Sequence, residues 1–121
     1  MTKIVLVEDD EFLTDVYKAK LEKENFEVEV VKEGDKAVEK IKTAKPAIIL
    51  LDIVLPNLDG WGILKNLKND LETKDIPVIV LSNLAQEEEI QKSMQLGTAK
   101  YLVKAQYIPS EIAREIKKIL S

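Results

Sequence analysis

The chain has 121 residues, a length that suits one domain around one core, and its 45% apolar share is enough to build that core. A charged share of 33% suits a solvated surface, and a net charge of −4 argues against a nucleic-acid or anionic-membrane surface. The absence of cysteine and histidine removes disulfides, thiolate metal sites, His–Zn sites and serine–histidine triads.

Lys3 to Val7 reads as a first strand, followed by Glu8-Asp9-Asp10; the opening residues are too short for a signal peptide. Phe12, Leu13, Val16, Tyr17 and Leu21 recur at helical spacing, and Asn25 can close that helix. Glu27 to Val31 alternates acid and valine, the pattern of a strand with one wet face at a sheet edge. Gly34 and Asp35 open a second helix with Ala37, Val38 and Ile41 facing inward, and Lys45-Pro46 ends it. Ala47 to Leu51 is an unbroken apolar run that stops at Asp52, as in a strand buried on both faces. The turn-rich stretch Ile53 to Gly60 follows.

Trp61, Ile63, Leu64 and Leu67 mark a third helix, and Asn69 to Asp75 is a polar link. Val78 to Leu81 is a second fully apolar strand, ending at Ser82-Asn83. Glu87 to Leu96 is a fourth helix with acids in its first turn, as the helix dipole favours, and Gly97 closes it. Tyr101 to Val103 is the last strand, ended by Lys104. Ser110, after Pro109, can cap a fifth helix that buries Ile112, Ile116, Ile119 and Leu120. No apolar run approaches the length of a membrane span, and a cytoplasmic protein is expected.

The pattern is five β–α units. It implies an α/β fold in three α/β/α layers, a parallel sheet with helices on both faces. Right-handed crossovers leave few topologies, and the flavodoxin-like doubly wound order 2-1-3-4-5 is expected, with residues 1–121 forming one domain.

The strand ends carry the chemistry. The first ends in Glu8 and Asp9, the third in Asp52, the fourth in Ser82 and the fifth in Lys104. The topology puts all of them on the edge where open α/β sheets bind ligands. Carboxylates crowded there repel, and a hard divalent cation such as Mg²⁺ relieves the repulsion. An oxygen nucleophile, a metal, a lysine and a hydroxyl donor are the parts of a phosphoryl-transfer site. Each piece also has a plainer reading. Glu8-Asp9-Asp10 can cap the first helix, Asp52 the next turn, and Ser82 a loop. Lys104 can be a solvated lysine and Tyr101 a core ring. Coincidence at four strand ends favours the site.

On Val7-Glu8-Asp9-Asp10, Asp52 with Leu55-Pro56-Asn57-Leu58-Asp59-Gly60, Ser82 and Lys104, the whole chain resembles the CheY-like receiver domain of bacterial response regulators. The resemblance implies that Asp52 accepts a phosphoryl group from a sensor histidine kinase or phosphotransfer protein. It implies Mg²⁺ held by Asp9, Asp52 and the backbone carbonyl of Val54, with Glu8 acting through water. Ser82 and Lys104 would bind the phosphoryl oxygens. Ser82 and Tyr101 would couple the site to the face of the fourth helix, fifth strand and fifth helix, where a downstream protein, or a second copy after phosphorylation, would bind. The implied protein is a signalling phosphoacceptor, not an enzyme with a separate substrate, and it contacts neither nucleic acid nor membrane.

Two positions depart from the family pattern. Ala105 stands where proline usually follows the lysine, which favours a trans peptide bond or a mobile loop. Asn83 stands where a small residue is usual, and it can crowd the phosphoryl pocket. Competing functions are an Mg²⁺-dependent aspartyl-phosphate phosphatase, for which the chain lacks a cap domain, and a pseudo-receiver that binds partners unphosphorylated. A flavin-binding protein is disfavoured because acids after the first strand would repel a phosphate.

Overall fold

The computed structural model describes residues 1–54 and 59–121; the stretch Leu55 to Leu58 of the turn-rich loop lies outside the described residues. The strands are β1 (Thr2–Val7), β2 (Phe26–Val31), β3 (Ile48–Leu51), β4 (Val78–Ser82) and β5 (Lys100–Val103). The helices are α1 (Glu11–Lys23), α2 (Ala37–Ala44), α3 (Gly60–Lys68), α4 (Glu87–Gln95) and α5 (Pro109–Leu120). All strand pairs are parallel, in the order β2-β1-β3-β4-β5, as the alternation of elements requires.

The period-2 geometry of the strands splits the core in two. Ile4, Leu6, Ile48, Leu50, Ile79, Leu81 and Leu102 face α1 and α5. Val5, Val7, Ile49, Leu51, Val78 and Val80 face α2 and α3 on the other side. β3 and β4 are buried along their whole length, which explains their unbroken apolar runs. β2 lies at the sheet edge, and its alternating acids are the wet face.

The helix ends follow local chemistry. Asn25 and Lys45 take positive φ after α1 and α2, and Gly97 does so after α4 at φ 87°, a conformation without strain for glycine. Three side chains differ from their expected places. Phe12 is 74% exposed. The buried residues of α1 are Thr14, Tyr17 and Leu21, and Phe12 lies two residues before Thr14, roughly 200° around the helix from that stripe. Ser110 does not cap α5: Pro109 occupies the first helical position, and the Glu111 carboxylate accepts from Ile108 N at 2.9 Å. Leu120 is exposed at the final helical turn, whereas Ile112, Ala113 and Ile116 form the buried stripe.

Candidate phosphoryl-transfer site

Two backbone bonds carry the sheet ladder past the ends of its strands. Glu8 N donates to Val31 O at 3.0 Å, and Asp52 N donates to Val7 O at 3.0 Å. These extra rungs set Glu8 and Asp52 side by side at the C-terminal edge. Ser82 is the last residue of β4, in register with Val103, so Lys104 emerges one step beyond it on the neighbouring strand. The sheet thus brings all the predicted strand-end residues to one cleft of about 340 Å³.

The acidic run after β1 divides its work. Asp10 is the N-cap of α1, its carboxylate accepting from Leu13 N at 3.0 Å. Glu8 is buried and turns into the site, whereas Asp9 is exposed at its mouth. The capping and site readings therefore apply to different residues of the same run.

Lys104 Nζ lies 2.6 Å from Glu8 Oε1 and 3.0 Å from Asp52 Oδ2. Asp52 Oδ1 accepts from Val54 N at 3.1 Å, which fixes the rotation of the carboxylate. Glu8 Oε2 accepts from Asp9 N at 3.1 Å and Asp10 N at 3.3 Å. Burial pushes the Glu8 carboxyl up to about 7; its bond to Lys104 opposes that rise, and neighbouring Asp52 adds to it. Burial draws the Lys104 ammonium down, but its bonds to Glu8 and Asp52 carry it above its ordinary value. One lysine facing Glu8, Asp9 and Asp52 leaves the cleft short of positive charge.

One oxygen from each of Glu8, Asp9 and Asp52 lies within 4.8 Å of the others. All are hard donors, and the exposure of Asp9 leaves water access, so this set fits a hydrated divalent cation. Ser82 is buried, and its Oγ accepts from Leu84 N at 3.1 Å. Tyr101 is half-buried, and its hydroxyl donates to Leu84 O at 2.5 Å. Asn83 is exposed at the rim of the cleft. Among the described residues there is no cis peptide bond, so Lys104–Ala105 is trans.

This arrangement of acids, hydroxyl and lysine on a 2-1-3-4-5 sheet is that of a receiver domain, and the chain belongs to the response regulator receiver domain family, whose family model matches residues 4–117. It is the phosphoacceptor domain type of two-component signalling, and domains of this family interact with histidine kinases or phosphotransfer proteins. The chain is 32% identical over 114 residues to the phosphate regulon transcriptional regulatory protein PhoB of Rhizobium meliloti, covering 94% of this chain and 50% of that one. It is 32% identical over 120 residues to the alkaline phosphatase synthesis transcriptional regulatory protein PhoP of Bacillus subtilis, covering 98% and 48%. The chain therefore spans about half the length of these curated relatives. The BeF3-activated N-terminal receiver domain of Klebsiella pneumoniae RstA matches it at 31% identity with a TM-score of 0.88, covering 96% of both chains. Among the described residues, no helix is long and apolar enough to cross a membrane.

Proposed function

We propose that Asp52 is the phosphoacceptor and that residues 1–121 act as one receiver domain. The observation that carries this reading is the 3.0 Å contact between Lys104 Nζ and Asp52 Oδ2 at the floor of a cleft that also holds Glu8, Asp9 and Ser82. An Asp52 oxygen forms the new bond to phosphorus as the phosphorus–nitrogen bond of the partner's phosphohistidine breaks. The electron pair of that bond returns to the imidazole, so no separate oxidant or reductant is needed. Lys104 and the Ser82 hydroxyl then face the charge that develops on the phosphoryl oxygens.

Asp9, Asp52 and the backbone carbonyl of Val54 would hold Mg²⁺, with Glu8 reached through water. When bound, the ion supplies the positive charge that the cleft lacks. In this reading the receiver's chemistry is confined to gaining and losing its own phosphoryl group, and it is not an enzyme in the turnover sense. The phosphodonor is a sensor histidine kinase or phosphotransfer protein, and the reader of the phosphorylated state is a protein on the α4-β5-α5 face, with a second copy as one such reader. A cytoplasmic location and the lack of direct nucleic-acid or membrane contact belong to the same reading.

The test is intact mass after incubation with acetyl phosphate and Mg²⁺. Wild type is expected to gain one phosphoryl group and Asp52→Asn none. An equal gain in Asp52→Asn would remove Asp52 from the role.

A further inference from the structure

A second cavity opens beside the phosphoryl cleft. Its volume is about 380 Å³, inside the range of about 300–1,000 Å³ common for small-molecule sites. It lies between α1 and the loop after β5, with Leu13, Val16, Tyr107 and Ile108 among its apolar walls. Leu13, Asn83 and Lys104 line both cavities, so the two adjoin. Asn83 and Ala105, the two departures from the family pattern, both belong to this second cavity. Ala105 presents a methyl group where a proline ring would take more of the space.

Tyr17 supplies the polar group. It is 4% exposed, yet among the described residues its hydroxyl has no hydrogen-bond partner and is not sealed in the core. The ring lines the second cavity, so the hydroxyl opens there. Burial raises the hydroxyl above its ordinary value of 10, and the charges that act on it are those of Lys104, Glu8, Asp52 and Asp10. It is therefore a protonated donor at the end of the cavity nearest the phosphoryl cleft. A buried phenol without an acceptor carries a cost that an oxygen-bearing ligand would remove.

In-line displacement puts the leaving group on the side of phosphorus away from the nucleophile. The second cavity reaches Lys104 and Asn83 but not Asp52, so it lies where a leaving group departs. An acyl phosphate suits both cavities at once: its phosphoryl group is anionic, and its acyl end carries one carbonyl oxygen on an apolar chain.

We propose that this cavity is an acyl subsite, which makes acyl phosphates with an apolar chain longer than acetyl a second class of phosphodonor for this chain. The proposal rests on Asp52 as phosphoacceptor. The carbonyl oxygen accepts from the Tyr17 hydroxyl, and the chain packs on Leu13, Val16 and Tyr107. An Asp52 oxygen bonds to phosphorus as the bond from phosphorus to the acyl oxygen breaks. The electron pair of that bond leaves on the carboxylate product, so no proton or further reactant is needed.

The test compares acetyl phosphate, butyryl phosphate and phosphoramidate, which has no acyl group, by intact mass at fixed Mg²⁺. In wild type the half-saturating concentration of butyryl phosphate is expected about tenfold below that of acetyl phosphate, the scale of two buried CH₂ groups. Equal values would overturn the subsite. The ratio is expected to fall toward one in Val16→Phe, which fills the cavity from a half-buried helix position, and an unchanged ratio would overturn the subsite. Relative to phosphoramidate, Tyr17→Phe is expected to raise the half-saturating concentration of both acyl phosphates by about threefold to tenfold. No relative change would overturn the Tyr17 contact. A check without any cavity variant uses the unreactive Asp52→Asn with butyryl phosphate. NOEs from the butyryl methyl to the Leu13 and Val16 methyls are expected, and NOEs only to other residues would overturn the subsite. A wild type that gains no phosphoryl group from any of the three donors would overturn the phosphoacceptor assignment instead.

Discussion

Ser82 and Tyr101 are joined through a single residue: Leu84 donates its N–H to Ser82 Oγ at 3.1 Å and accepts the Tyr101 hydroxyl at its carbonyl, at 2.5 Å. The aromatic hydroxyl is therefore bonded to the β4–α4 loop, and the ring packs against the core cluster on the α2–α3 side of the sheet. Ser82 Oγ accepts this bond and still has its own proton to donate. A phosphoryl oxygen on Asp52 is a strong acceptor, and a Ser82 hydroxyl drawn toward it pulls on Leu84. The pull reaches Tyr101 through the same peptide unit.

This linkage predicts that Ser82→Ala uncouples the α4-β5-α5 face. A partner that prefers the phosphorylated protein should lose that preference in Ser82→Ala, even with Asp52 fully phosphorylated, because coupling between the two sites is reciprocal. Tyr101→Phe should cost about 1 kcal/mol of stability for the lost hydrogen bond and leave phosphorylation of Asp52 intact. NMR shifts of α4 and α5 with and without beryllofluoride check the switch; unresponsive helices in wild type would exclude it.

Gly60 is predicted to be intolerant of any side chain. A Cβ there would lie 2.4 Å from Ile53 Cα and 2.6 Å from Asp52 O, both backbone atoms that cannot swing away. Gly60 N also donates to Ile53 O at 2.6 Å, which ties the start of α3 to the residue after Asp52. Gly60→Ala should cost about 1–3 kcal/mol in urea unfolding, the usual scale of overpacking. It should also slow phosphorylation by shifting the Asp52 backbone. A variant as stable and as reactive as wild type would show that α3 docks more loosely than this geometry requires.

The strands and the residues at their ends were legible because the evidence for them is local, and the sheet order followed from the alternation of elements and the handedness of their crossovers. An apolar run cut short by Asp52 or Ser82 marks both a buried strand and its exit point. The exposure of Phe12 was not legible, since several apolar residues at mixed helical spacings leave the buried stripe of α1 undetermined until its neighbours are in place. The Ser110 expectation failed because proline at the first helical position and Glu111 two residues beyond it together satisfy that helix end without a serine cap. The Glu8–Lys104 bond and the Tyr101–Leu84 bond join residues far apart in the chain, and no spacing rule announces either. What the sequence carried was the meeting of Glu8 and Lys104 at one edge, not that Glu8 would hold the shorter bond.

Acid stability should depend on Glu115. Its carboxylate on α5 accepts from Lys100 at 2.8 Å and lies 3.2 Å from Lys118, and these bonds hold its carboxyl below the ordinary 4.5. A carboxyl depressed in the folded state contributes its stability in full above its unfolded value and loses it as pH falls through the folded value. Glu8 has the opposite sign: its folded value of about 7 lies above 4.5, so its contribution declines as pH rises between those values and is flat above them. Glu115→Gln should therefore lower stability at neutral pH, where the ionised carboxylate contributes in full, and flatten the further loss below pH 4.5. Urea midpoints across that range give the answer; an acid limb as steep as that of wild type would assign it to other carboxylates.

The last prediction concerns how long the phosphoryl group survives. Hydrolysis requires a water aligned with phosphorus on the side away from Asp52, and a side chain that accepts its proton or holds its orientation accelerates that step. Val54 and Leu84 both line the cleft, two residues after Asp52 and Ser82 respectively. Val54 is 62% exposed and Leu84 half-buried, so each presents an apolar surface near the approach to Asp52 without closing it. Neither side chain has a hydrogen-bonding atom with which to orient water. The phosphorylated protein should consequently hydrolyse slowly. The double substitution Val54→Asn with Leu84→Glu places an amide and a carboxylate at the same two positions, and it should raise the hydrolysis rate by about tenfold or more, within the range of a positioned acid or base. Leu84 also carries the Ser82 and Tyr101 bonds, but both run through its backbone, so the side-chain change leaves them in place. Decay of the phosphorylated mass after removal of acetyl phosphate measures the rate directly. Equal or slower decay in the double variant would show that access to phosphorus, and not orientation of the water, limits hydrolysis.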